Sequence, residues 1–169
     1  MKVTVTVNDI TMDLGVQQLA YLVGNIPDID DNQDIFEELS NHTSFTVRRE
    51  VAYKDCINTA TALNLLNDTD PSVLYNILGN EKAKEVITEQ LVDQIISYGY
   101  GEVTERLAES VTYMEEVDHN AVFKKLLELE SPAIDLAIAN NYSASKAILK
   151  KLLKSDDTDI VNAAKSSLE

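Results

Sequence analysis

Two apolar periods divide this chain, and the change between them at Gly15 constrains the fold more than any other feature. Before Gly15 apolar residues alternate, the period of a strand; after it they recur at helical spacing to the C-terminus.

Residues 2–14 alternate on both sides of Asn8-Asp9. With those two residues as the turn, Val7 faces Ile10, Val5 faces Met12 and Val3 faces Leu14, all on one side of a two-stranded ribbon. Thr4, Thr6, Thr11 and Asp13 fall on the other side. Asn and Asp both tolerate the positive φ that such a turn requires. A lone hairpin is marginal in water, so its apolar side is expected to cover the first helices. Lys2 and the short strands protect the edges little, which leaves a homodimer paired through the hairpin edge as a further expectation.

The helical part repeats. Val47-Arg-Arg-Glu-Val51-Ala52 and Ala133-Ile134-Asp-Leu136-Ala137-Ile138-Ala139 open two similar units. Each is followed by a second apolar helix, with Ala62, Leu63, Leu65 and Leu66 in one and Ile148, Leu149, Leu152 and Leu153 in the other. Each closes in an acidic turn, Asn67–Asp70 or Ser155–Asp159. Weaker openings begin at Val16, Val73, Val103 and Ile160, so that successive starts lie about 30 residues apart, the period of a two-helix solenoid unit. Asp70-Pro71 and Ser131-Pro132 place a capping side chain before a proline suited to the first helical position. Asp118, Ser143 and Thr158 are further expected caps, and Gly24 and Gly79 expected ends. Alanines 20, 52, 108, 137 and 164 would let neighbouring opening helices approach closely.

The run Val-x-x-x-Val-Ala, a short turn, Leu-x-x-Leu and an Asp-rich turn resembles the HEAT-like superfamily, particularly its leucine-rich repeat variant branch. Val47–Val73 and Ala133–Val161 carry the resemblance, about a third of the chain. It implies an α-solenoid of about five helical pairs, here led by the hairpin, in a single domain over residues 1–169. The hairpin would occupy 1–14 and the repeats 15–169. The stretch 81–130 matches loosely, with one longer helix over Glu85–Tyr98 disturbing the period, and Pro27–Asp34 is an acidic linker inside the first unit. Members of that branch can carry an iron–sulfur cluster on a separate group of cysteines. Cys56 is the one cysteine of this chain, so that property does not transfer and no cofactor is expected.

Chemistry is hard to place. Asp28, Asp30, Asn32 and Asp34 match the first four ligand positions of an EF-hand loop. Gln33 stands where the sharp turn needs Gly, and Leu39 where a bidentate Glu is needed. The preferred reading is an acidic loop capping a helix whose buried side is Ile35, Phe36 and Leu39. Cys56 with His42 or His119 is the only start to a Cys–His pair, and Asp55 beside Cys56 would raise rather than lower its thiol pKa. No Gly-rich phosphate loop or Gly-x-Ser-x-Gly elbow is present. A non-enzymatic protein is expected.

Charge and tyrosine speak to partners. Net charge is −15, from 29 Asp and Glu against 14 Lys and Arg, which disfavours direct contact with nucleic-acid phosphates or an anionic membrane. No apolar run is long enough for a membrane span, the alternating start is unlike a signal peptide, and a lone cysteine suits the cytoplasm. The acids cluster. Asp28, Asp30, Asp31, Asp34, Glu37 and Glu38 form one group; a helix over 102–118 carries Glu102, Glu105 and Glu109 in another. Lys146, Lys150 and Lys154 form a small basic stripe near the end. There are seven Tyr beside three Phe and no Trp, and Tyr is a frequent interface anchor. Tyr98 and Tyr100, bracketing Gly99, make the favoured exposed contact loop. The expectation is a protein-binding module for a basic partner surface. The alternative is an acidic nucleic-acid mimic that inhibits a DNA- or RNA-binding protein, as an anti-defence or host-takeover factor would. A HEAT-like enzyme acting on nucleic acid ranks third, since one Lys stripe is too little to hold a phosphate backbone.

Overall fold

A computed structural model describes residues 3–169, Val7 by its backbone alone. Lys2, weighed above for edge protection, lies outside the described residues. The chain is mainly helical, with one small antiparallel hairpin at its start. It divides into two compact units, Met1–Ala83 and Lys84–Glu169, the division falling in the stretch whose repeat pattern is weakest. Among the described residues no helix is long and apolar enough to cross a membrane.

The first unit opens with β1 (Thr4–Val7) and β2 (Ile10–Asp13), paired as the alternation predicts: Val5 opposite Met12 and Val7 opposite Ile10. Asn8 and Asp9 both take positive φ, 47° and 66°, the conformation that matches a tight turn to the strands' twist. The cover expected over the apolar side is incomplete. Val3, Val5 and Leu14 are half-buried, but Ile10 is 74% exposed and Met12 60% exposed, so the turn end of this face is open.

Five helices follow: α1 (Val16–Asn25), α2 (Gln33–Ser40), α3 (Phe45–Ala52), α4 (Thr59–Leu66) and α5 (Pro71–Ile77). A 3-10 turn, Asp30–Asn32, leads into α2. α1 packs on α3 and α3 on α5, forming one layer; α2 packs on α4 in a second, and α3 touches both. Leu19, Val23, Phe36, Val47, Val51, Leu65, Leu66, Val73 and Ile77 fill the space between, all buried.

α6 (Glu81–Val86) crosses the division and leads into the second unit: α7 (Glu89–Ser97), α8 (Gly101–Ser110), α9 (His119–Leu127), α10 (Pro132–Ala139), α11 (Lys146–Leu152) and α12 (Thr158–Ser166). Here α8 packs on α10 and α10 on α12, while α9 meets α7 and α11. The long helix expected over Glu85–Tyr98 is two helices. The first ends at Val86, and the Thr88 hydroxyl caps the second by accepting from Leu91 N. The apolar period runs on through Val86, Ile87, Leu91 and Val92, but the local cap wins over it. The helix expected over 102–118 stops at Ser110, passes through a 3-10 turn at Val111–Tyr113, and leaves Met114–Val117 outside any helix.

A recurring buried polar position ties successive opening helices together. Two residues beyond Ala52, Leu78 and Ala139, which close the buried faces of three opening helices, stand Lys54, Asn80 and Asn141, all buried. Lys54 Nζ donates back to the carbonyls of Gly24 (3.0 Å) and Ile26 (2.9 Å) at the end of α1. Asn80 Nδ2 donates to Lys54 O (2.7 Å) beyond the end of α3. In the second unit Asn141 Nδ2 donates to Ala108 O (3.1 Å), and exposed Ser167, three residues beyond Ala164, makes a related bond from Oγ to Ala139 O (2.7 Å). Each bond satisfies a carbonyl that its own helix end leaves free.

Capping chemistry places several boundaries. Asp70 accepts from Ser72 N, and Asp118 from Asn120 N and Ala121 N, as expected. Ser131 holds the cap position before Pro132 but makes no side-chain capping bond. The cap of α11 is Ser145 rather than Ser143, whose N–H and hydroxyl are engaged by Asn141 Oδ1. That of α12 is Asp157 rather than Thr158, because its carboxylate receives Asp159 N and Ile160 N. Gly24 lies inside α1, which ends at Asn25, while Gly79 follows the end of α5 as expected.

Candidate interaction surface

The first acidic group separates into engaged and unengaged carboxylates. Asp28 is exposed but engaged on both oxygens: Oδ2 receives Asp55 N and Oδ1 receives Cys56 N, both at 2.8 Å. That clasp fixes the linker after α1 to the loop between α3 and α4, and it uses the carboxylate an EF-hand would need first. Asp30 Oδ1 receives Gln33 Nε2, and Asn32 Nδ2 donates to Pro27 O, so these two serve the loop itself. Among the described residues no three His, Cys, Asp or Glu side chains gather as a metal site. Glu37, half-buried, receives Asn58 Nδ2 at 2.6 Å, and Asn58 in turn caps α4. Its role is architectural.

Asp31, Asp34 and Glu38 are exposed and have no ion-pair or hydrogen-bonding side-chain partner among the described residues. Their spacing puts them on one side of the 3-10 turn and α2. Ile35 lies on the same side. It was expected inside with Phe36 and Leu39, which are buried, yet it is 45% exposed. Ile29, just before the turn, is exposed as well. The outer side of α2 is therefore an acidic stripe with an aliphatic residue in it.

In the second unit Glu102 and Glu109 are exposed and Glu105 is half-buried. Glu109 receives Arg106 NH1 at 3.0 Å, which partly neutralises that group. Lys146, Lys150 and Lys154 are all exposed.

Tyr98 and Tyr100 are not the open aromatic pair expected. Gly99 takes φ 70°, a left-handed conformation that folds the loop back on itself. The two rings then lie 5.9 Å apart, half-buried, and the Tyr98 hydroxyl receives Gln94 Nε2. The exposed tyrosines are elsewhere, at Tyr21, Tyr53, Tyr75, Tyr113 and Tyr142. In the first unit they belong to α1, α5 and the end of α3, the opening-helix layer. In the second they follow α8 and α10, again that layer. Tyr113 and Tyr142 meet edge to face at 6.4 Å, with Lys84 Nζ 4.6 Å from the centre of the Tyr113 ring. They border a shallow cleft of about 250 Å³ with Glu109 and Asn140. Tyr21, Arg49 and Glu50 border another, of about 340 Å³, between α1 and α3. For Tyr53, Tyr75, Tyr113 and Tyr142 the signal was present in the sequence as tyrosine at or just beyond the last turn of an opening helix, whereas Tyr21 lies in the middle of α1.

Cys56 is half-buried, its thiol pKa raised by desolvation and then by Asp28, Asp30 and Asp55. His42 is buried, its Nδ1 receiving Ser44 N, and His119 Nε2 bonds Met114 O. Comparison with protein-family models, curated proteins and solved structures finds no match.

Proposed function

We propose that the protein is a non-catalytic helical-repeat module that binds a protein with a basic surface. A buried polar side chain that donates to the preceding opening helix's end recurs at Lys54, Asn80 and Asn141, which supports reading each unit as a run of HEAT-like helical pairs. The observation that carries the functional reading is the outer side of α2. Asp31, Asp34 and Glu38 offer charge to a basic partner, and exposed Ile35 between them offers apolar area. Charge accelerates and orients such an encounter, and the aliphatic contact adds affinity by excluding water. Exposed tyrosines on the opening-helix layer add further anchors.

Affinity capture from source cells, with and without nuclease, tests this reading. A basic protein retained after nuclease treatment, and not displaced by added DNA or RNA, is the expected result. Displacement by nucleic acid would favour the mimic.

A further inference from the structure

We infer that the cleft between Tyr113 and Tyr142 receives an arginine side chain of the basic partner. The inference rests on the function proposed above and adds an anchor in the second unit. Tyr113 follows α8 and Tyr142 follows α10, so the cleft, of about 250 Å³, lies between two successive opening helices. Both rings are exposed, and neither hydroxyl has a hydrogen-bond partner among the described residues. A tyrosine ring offers its face to a cation, and one of these rings already does so: Lys84 Nζ stands 4.6 Å from the centre of the Tyr113 ring. Lys84 is buried, so its ammonium takes the covered side of Tyr113. Tyr142, 76% exposed and edge to face with Tyr113, carries no such cation among the described residues.

Charge and donor geometry select the occupant. Glu109 Oε2 receives Arg106 NH1, while its Oε1 has no partner among the described residues. Asn140 commits Nδ2 to Leu136 O and keeps Oδ1 as a second acceptor. Thr112 and Asn141, which also line the cleft, are bonded to each other. The cleft thus offers a carboxylate oxygen, an amide oxygen and an open aromatic face. An anion would meet Glu109 and a chain of net charge −15. A guanidinium stacks flat on an aromatic ring while donating from its edge in several directions, whereas a lysine ammonium is a compact, strongly hydrated point charge. Arg106 offsets part of the Glu109 charge, so a single arginine binds weakly, and the anchor contributes as one contact of a larger interface.

Amide NMR of the isotope-labelled full chain, titrated with a blocked Gly-Arg-Gly peptide and its lysine and citrulline counterparts, tests this. The arginine peptide should shift the amides of Glu109, Tyr113, Asn140 and Tyr142 with a roughly millimolar Kd. Citrulline keeps the shape without the charge and should shift none of them. The lysine peptide should bind roughly threefold or more weakly. Tyr142→Ala and Glu109→Gln should each weaken the arginine peptide by roughly threefold or more. Both residues are exposed, so amide signals far from the cleft should keep their positions. No shift at the four amides, equal binding of the lysine or citrulline peptide, or an affinity untouched by both substitutions overturns the inference. Shifts confined to Asp31, Asp34, Ile35 and Glu38 overturn it as well, yet support the acidic stripe on α2, so the two failures are distinct.

Discussion

The side-chain amide of Asn80 donates to the carbonyl oxygen of Lys54 at 2.7 Å, inside the first unit and 26 residues further along the chain. Its Oδ1 receives Lys82 N at the start of α6, so one buried side chain both joins successive opening helices and begins the next helix. Asn80→Ala would remove both bonds, one of them to a buried residue's carbonyl. The expected cost is about 1–3 kcal/mol, read from urea denaturation. Asn141→Ala, the equivalent change in the second unit, should cost a similar amount.

Arg48 and Asp68 form a bidentate pair, with Nε–Oδ2 2.5 Å and NH2–Oδ1 2.9 Å, and the Asp68 side chain is almost wholly buried. Arg48 also donates to His42 O and Thr43 O, binding the α2–α3 turn to the turn after α4. Its pKa is raised, chiefly by the bond to Asp68. Asp68→Asn removes the counter-charge but leaves the guanidinium in place. It should therefore destabilise by about 3 kcal/mol, more than Asn80→Ala, in the same denaturation measurement.

Asp135 should be a liability at neutral pH. It is half-buried on α10, its Oδ1 has no hydrogen-bond partner among the described residues, and desolvation raises its pKa against a smaller opposing pull from Lys151. A carboxyl with a raised folded-state pKa stabilises the fold while protonated. That contribution is present below its unfolded pKa and is lost as pH rises through the folded one. Asp135→Asn should melt higher than the native chain at pH about 7 and no higher at pH about 3, where both side chains are neutral. Thermal melts at the two pH values check the sign.

Cys56 should react slowly with an alkylating reagent at neutral pH, and faster as pH rises past its raised thiol pKa. Asp28→Asn removes one of the charges that raise it, so the rate–pH profile should move to lower pH. The same change weakens the clasp on Asp55 N and Cys56 N, with an expected loss of about 1–2 kcal/mol. A shifted profile with unchanged binding to a captured partner would fit the architectural role given to Asp28.

These residues show where the sequence could be read and where it could not. Val47, Val51, Val73, Ile77, Val103 and Leu107 recur at helical spacing and are buried, because the period reports directly which side of a helix faces the core. The hairpin register was legible for the same reason, with its turn residues at positive φ. What lies over the ribbon was not, since cover depends on packing between elements and leaves no local pattern. Asp28 looked like a surface acid among other acids; its partners lie 27 and 28 residues away. Thr88 and Ser145 were missed as caps because apolar spacing continued past one and Ser143 stood close to the other. In the candidate surface, Asp31, Asp34 and Glu38 were legible by charge, whereas exposed Ile35 was not, being apolar and one residue from buried Phe36.

Affinity of the captured partner for α2 variants tests the functional account most directly. Asp31→Asn, Asp34→Asn and Glu38→Gln together should weaken binding by roughly tenfold or more at low salt, with less effect at high salt. Ile35→Ser alone should weaken it by roughly threefold to thirtyfold with little change in salt dependence, as expected for a lost aliphatic contact. Titration calorimetry of the native chain and both variants against that partner, at two salt concentrations, supplies the comparison. Equal affinity in all three proteins would contradict the account.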